Sequence, residues 1–246
     1  MLKTATRMAF LSKLIYEDYE TINTKLLGMG FKDWFWFDKD GTQAFIIKTE
    51  KEVVICFRGT EPDQLTDVLS DLKAWPKRSR EKGLVHFGFA QALDRVYDKM
   101  MEQIQRFDMS KVEKVICTGH SLGGALATLM ASRIDAEEAY TFGSPRVGSR
   151  SFVKEMKADK IKLYRFVNNN DIVTKVPLAL MGYRHYGELC YINHYGNIRK
   201  MTPWQRIKDQ WRGRFRAWQK REWFDGARDH SMDLYFKKIK NVSLQS

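Results

Sequence analysis

The chain has 246 residues, 43% apolar and 13% aromatic, enough to bury a full core, and it carries no linker long enough to divide it; one α/β domain over 1–246 is expected. Lys3, Arg7 and Lys13 interrupt the apolar residues of MLKTATRMAFLSKLIYEDY and no apolar run is long enough to cross a bilayer, so the expectation is a cytoplasmic protein, at most peripheral on a membrane, with neither leader nor span. The formal net charge is +12, and nine Lys or Arg against one Asp between Arg199 and Arg221 give that stretch a local +8.

In chain order, the first thirty residues predict one or two amphipathic helices with Met8, Leu11, Ile15 and Tyr19 on one stripe, ending at the glycines of LLGMG. WFWF, QAFIIKT and VVICF, separated by DKDG and EKE, predict three antiparallel strands. After Arg58-Gly59-Thr60 comes the polar segment EPDQLTDVLSDLKAWP, whose Pro62 suits the first turn of a helix. HFGFAQALDRVYDKMMEQIQRF has the spacing of a long helix, and KVEKVICT that of a buried strand. EAYTFGSPRVG and KIKLYRFVNNND predict two further strands ending in loops, and strands alternating with helices predict a mostly parallel sheet covered on both faces. The cysteines Cys56, Cys117 and Cys190 are odd in number and lack metal-ligand spacing, so they are read as reduced core residues.

The chemistry centres on GHSLGG, Gly119 to Gly124, between the strand KVEKVICT and the helical ALATLMASR. A strand, tight turn and helix around G-x-S-x-G force the serine into a strained backbone and stand its hydroxyl beside a helix N-terminus, where developing negative charge is favoured. Ser121 is therefore the expected nucleophile, and it needs a base and a carboxylate to orient that base. His86 precedes it and His120 is its neighbour; of His185, His194 and His230, the last lies in a loop entering a late helix, RDHSMDLYF, and is the expected base. His185 and His194 flank the strand-like ELCYIN and read as structural. Asp171 follows the strand KLYRFV and Asn168-Asn169-Asn170, at a carboxyl end where ligand-facing groups collect, and is preferred to Asp225 and Asp229, which are too near His230 in the chain. Two oxyanion donors are expected: the backbone N–H of Leu122 and Thr60 in RGT.

Residues 197–225 form a basic, tryptophan-rich insertion ahead of the His230 loop. Trp204, Ile207, Trp211, Phe215 and Trp218 recur at steps of three or four and fall on one helical face. That stripe has two readings, an anionic membrane surface met through 199–221 or packing on the protein's own body. Nucleic acid would also answer the charge, but no recognition motif accompanies it.

The assembled stretches VVICFRGT, DLKAW, VHFGFAQAL, CTGHSLGGALATL, YTFGSPRVGS, RFVNNNDIVTKVP, GYRHYGELCYI and DHSMDLY, running from about residue 40 to residue 235, resemble the class 3 lipase family of fungal-lipase-like α/β hydrolases. The resemblance implies an α/β-hydrolase fold and a serine-dependent carboxylic ester hydrolase acting on acylglycerol-type lipids. It implies Ser121, Asp171 and His230 as the catalytic residues, Thr60 and Leu122 in the oxyanion hole, and no metal or organic cofactor. It also places a lid at about Glu61 to Leu69, where EPDQLTDVL is less apolar than interfacial activation would want. The alternatives are a phospholipase A1 or galactolipase-like enzyme, a soluble short-chain or aryl esterase, and a peripheral membrane-binding module without catalysis.

Overall fold

The computed structural model describes residues 1–60, 75–219 and 228–244, with the backbone alone over 213–219. In chain order its elements are α1 (Leu2–Leu14), α2 (Tyr19–Gly28), β1 (Asp33–Lys39), β2 (Thr42–Lys48), β3 (Glu52–Phe57), β4 (Lys77–Arg78), β5 (Leu84–Val85), α3 (Phe87–Gln105), β6 (Lys114–His120), α4 (Leu122–Arg133), β7 (Glu138–Phe142), β8 (Gly148–Ser149), α5 (Arg150–Ala158), β9 (Lys162–Asn168), β10 (Tyr183–Arg184), β11 (Glu188–Ile192), α6 (Pro203–Gln219) and α7 (Met232–Leu244). The segment expected to hold the lid, and Pro62 with it, lies outside the described residues.

The sheet starts antiparallel because its connections are tight. Asp40 and Gly41 turn at φ 50° and 79°, between the paired Lys39 and Thr42, which is the left-handed geometry that a two-residue hairpin demands. From β3 onward the pairing is parallel, giving the order β1-β2-β3-β6-β7-β9-β11. A smaller four-stranded sheet, β10-β8-β5-β4, is built from two-residue strands too short to leave a periodic signal.

Both faces of the large sheet are dry, which explains the unbroken apolar runs. Along β2 and β3, Ile46, Ile55 and Phe57 pack with α3, α4 and α5, whereas Phe45, Ile47, Val54 and Cys56 pack with α1, α2 and α7. Helix α4 is apolar all round, with every residue from Gly123 to Ser132 buried, as suits a helix held between the sheet and α3. Met8, Leu11 and Ile15 are fully buried as the stripe predicts, but Tyr19 is 50% exposed, because α1 ends at Leu14 and Tyr19 opens a new helix capped by Asp18. The three cysteines are buried free thiols, and burial pushes those of Cys56 and Cys117 far up and that of Cys190 to about 11, so they behave as packing groups.

Helix α6 starts on a reciprocal cap, with Thr202 N–H donating to Gln205 Oε1 at 2.9 Å, Gln205 N–H to Thr202 Oγ1 at 3.3 Å, and Pro203 in the first turn. Its single acid holds it down. Asp209, 3% exposed, accepts from Tyr191 Oη at 3.0 Å, from the His194 N–H at 3.1 Å, and pairs with His194 Nδ1. The opposite side faces outward: Trp204, Ile207 and Trp211 are 65%, 43% and 67% exposed. Trp204 and Trp211 thus face away from the body, while Ile207 also borders the space beneath the helix; the side chains of Phe215 and Trp218 lie outside the described set.

Candidate active site

Because β3, β6, β7, β9 and β11 run parallel, their carboxyl ends lie along one edge, and the loops leaving them carry Gly59-Thr60, Ser121, Gly143, Asp171 and His194. Four of those loops build one site. Ser121 follows the last residue of β6 with φ 55° and ψ −127°, a conformation that L residues avoid at a cost of about 1–3 kcal/mol. Its N–H donates to Phe142 O at 3.0 Å, and its own carbonyl accepts from Gly124 N–H at 3.0 Å, so the elbow is locked to β7 on one side and α4 on the other. Leu122 is the first residue of α4, and its N–H has no carbonyl one turn earlier to bond.

Glycine is required where these loops converge. A Cβ on Gly143, at φ 61°, would lie 2.7 Å from Asp171 Oδ2 and 2.9 Å from His230 Nδ1. On Gly59 it would lie 2.5 Å from the His120 carbonyl oxygen and 3.2 Å from Ser121 Cβ, which brings Thr60, the next residue, to the serine.

Asp171 is fully buried after β9, and His230 is 5% exposed just before α7. His230 Nδ1 lies 2.9 and 3.0 Å from the two Asp171 carboxylate oxygens. A carboxylate only accepts, so Nδ1 carries the proton and Nε2 offers its lone pair. Each Asp171 oxygen has a second donor: Val173 N–H reaches Oδ1 at 2.9 Å and Tyr235 Oη reaches Oδ2 at 2.6 Å. Burial beside Asp171 pushes the Tyr235 phenol far up, which keeps it a donor. Two polar atoms of this site remain buried without a hydrogen bond to the described residues, Ser121 Oγ and His230 Nε2.

The loops bearing Ser121, Asp171 and His230 therefore meet at one place, with Leu122 next to the serine in the chain and Thr60 next to Gly59. Other parts of the support are invisible in the linear sequence. His120 Nε2 lies 2.7 Å from the His230 carbonyl oxygen and donates to it; its Nδ1 must then accept, from Tyr16 Oη at 2.9 Å, just beyond α1. The two imidazoles pack with centroids 4.5 Å apart, and burial with the neighbouring His230 holds the His120 protonation well below the ordinary histidine value of 6.5. Asp229, one of the competing acids, serves the loop instead, accepting from Asn170 N–H at 3.0 Å while its carbonyl accepts from Asn168 Nδ2 at 2.8 Å. His185 donates to the Thr174 carbonyl and His194 pairs with Asp209, the structural roles expected of them.

A buried neutral histidine has a pH consequence. The unfolded chain takes up a proton near pH 6.5 that the folded chain refuses at His120, so stability is full above that pH and falls as pH drops through it. The expected loss is up to about 1.4 kcal/mol per pH unit. Urea denaturation at about pH 7 and about pH 5 measures it, and His120→Gln, which keeps an N–H donor, should reduce the difference, leaving the share of the likewise depressed His185. An unchanged difference in that variant would show that His120 is not the group responsible.

A family model described as lipase (class 3) matches residues 54–181, more than half of the chain. The chain is 34% identical over 167 residues to a lipase of Rhizomucor miehei, covering 61% of this chain and 45% of that one. It is 34% identical over 151 residues to a chloroplastic phospholipase A(1) of Arabidopsis thaliana, covering 52% and 34% respectively. The chain thus spans less than half the length of these two curated relatives. Its backbone is similar to the crystal structure of a lipase from Rhizopus microsporus var. chinensis, with TM-score 0.65 at 28% identity over 78% of this chain and 74% of that chain. The parallel sheet with helices on both faces is the α/β-hydrolase fold of such neighbours. With the sequence match spanning the elbow and the Asp171 loop and the backbone match covering the sheet that carries them, the chain belongs to the class 3 lipase family.

Proposed function

We propose that the chain is a serine-dependent carboxylic ester hydrolase, with acylglycerol-type lipid esters as its substrates. The observation that carries this reading is the pairing of need and vacancy at the site: His230 is fixed by Asp171 with Nε2 bare, and Ser121 Oγ is buried without a hydrogen bond to the described residues. In this reading Nε2 takes the Ser121 proton as Oγ attacks the acyl carbon, and Asp171 stabilises the imidazolium. The Leu122 N–H and Thr60 hold the oxyanion. His230 then protonates the departing alkoxide, and water, activated by the same nitrogen, releases the acid from the acyl-enzyme.

The similarity to both a lipase and a phospholipase A(1) supports lipid esters and leaves the head group as the finer question. The outward Trp204, Ile207 and Trp211, with Lys208 Nζ 5.8 Å from the Trp204 ring centre, support docking on an anionic membrane surface through 199–221. No helix of the described residues is long and apolar enough to cross a membrane.

The test has two parts. A fluorophosphonate probe should give one adduct, on the peptide containing Ser121. Hydrolysis of p-nitrophenyl esters should rise with acyl length and rise again on anionic vesicles. An adduct on another serine would overturn the assignment of Ser121, and activity confined to short acyl chains and indifferent to vesicles would return the protein to the soluble esterases.

A further inference from the structure

Beneath α6, on the side away from its tryptophans, lies a cavity of about 280 Å³ between β9, β11 and the turn Val173–Lys175. Among the described residues, four cationic side chains line it, Arg146, Arg165, Lys175 and Arg206, together with His185 and Gln210, and no Asp or Glu does. Elsewhere in the fold a buried guanidinium is answered by acid: Arg133, 4% exposed in its side chain, pairs with Glu81 and with Asp94. Arg165 has no such partner. Its side chain makes no hydrogen bond or ion pair with the described residues, and its Nε is sealed from solvent without an acceptor, as is Arg206 Nε.

Arg146 is held in place by the carbonyls of Lys175 and of Pro177, the latter at 2.9 Å. His185 is neutral, because burial and the charge of Arg165 push its protonation well below 6.5. Burial and the facing charges of Arg146 and Arg206 likewise bring Arg165 down to about 10. Gathered cations without an anion among them are unstable unless something supplies the negative charge.

We propose that this cavity binds a phosphoryl group, with Arg146, Arg165 and Arg206 as its ligands. Guanidinium forks match the oxygens of a phosphate in pairs, and one multiply charged tetrahedral anion satisfies several of them where a lone carboxylate would leave charge over. The volume would hold about nine waters, room for the group and a substituent. The same chemistry has two sources, free phosphate and the head group of an anionic phospholipid. The site is separate from the ester chemistry and stands or falls independently of it.

The test uses the full chain, with wild type, Arg165→Met and Arg206→Met compared. Inorganic phosphate, titrated against chloride at matched ionic strength, should raise the wild-type melting temperature saturably. Either variant should weaken that response about tenfold or more. Arg165→Met should also melt higher than wild type without phosphate, a gain that a merely structural arginine would not give. Flotation with vesicles of phosphatidylcholine containing phosphatidylglycerol separates the sources: binding lost in both variants assigns the head group, and binding unchanged assigns free phosphate. Should Arg165→Met not fold, Arg206→Met carries the phosphate titration, and Arg146→Met, off the proposed membrane-docking helix, replaces it in the vesicle comparison. A wild-type melting temperature indifferent to phosphate, with equal vesicle binding by all three proteins, would overturn the proposal.

Discussion

Ser121→Ala is expected to lower kcat for ester hydrolysis by about six orders of magnitude, and Asp171→Asn by about four, with little change in KM for either. The first removes the atom that would bond the acyl carbon. The second is the more discriminating, because it changes one atom and no shape. Both Asp171 oxygens are claimed twice, by His230 Nδ1 together with Val173 N–H at Oδ1 and with Tyr235 Oη at Oδ2. An amide nitrogen in either position would face a donor with a donor, and turning it toward His230 would favour the tautomer protonated at Nε2, which has no lone pair for the serine. Steady-state kinetics on a p-nitrophenyl ester reads both variants. Asp171→Asn activity within about tenfold of wild type would show that another carboxylate orients His230.

The second large effect concerns folding. A Cβ on Gly123 would sit 2.2 Å from the Phe57 carbonyl oxygen and 2.9 Å from Arg58 C, and one on Gly119 would sit 2.3 Å from the Gly123 carbonyl oxygen. All these neighbours are backbone, so no rotamer change relieves the clash; β3 and α4 would have to part where Gly59 and Ser121 meet. Gly123→Ala is therefore expected to cost about 3 kcal/mol or more and to lower the melting temperature by roughly 10 °C. Activity should fall with it, since the separation also displaces Thr60 and Leu122. A variant that melts within a degree or two of wild type would mean that the close approach is not what fixes the elbow.

These two experiments also divide what was legible in the sequence from what was not. The glycines around Ser121 announce a tight strand-to-helix turn because their need is local. Asp171 could be placed at the end of its strand because parallel strands gather function at their carboxyl ends. Tyr16, Tyr235 and Asp229 gave no such sign. Each acts across the fold, Tyr16 on His120 104 positions away, Tyr235 on Asp171 64 positions away and Asp229 on Asn170 59 positions away, and only the packed sheet brings them together. Helix α5 also went unread: it carries a local cap at Ser149 and an amphipathic pattern with Phe152 and Met156 buried, but at nine residues it is short and lies between two strand signals. For the basic insertion the helix was legible and its orientation was not, because one acid among nine cations decides which side faces inward, and its partners Tyr191 and His194 lie on another element and the loop after it.

The positive φ of Ser121 sets two kinds of fitness against each other. Glycine would take φ 55°, ψ −127° without strain, whereas alanine keeps the Cβ and the strain with it. The most relaxed residue for position 121 is thus one that cannot attack an ester, and a chain selected for heat tolerance alone would drift toward silence at its own reactive centre.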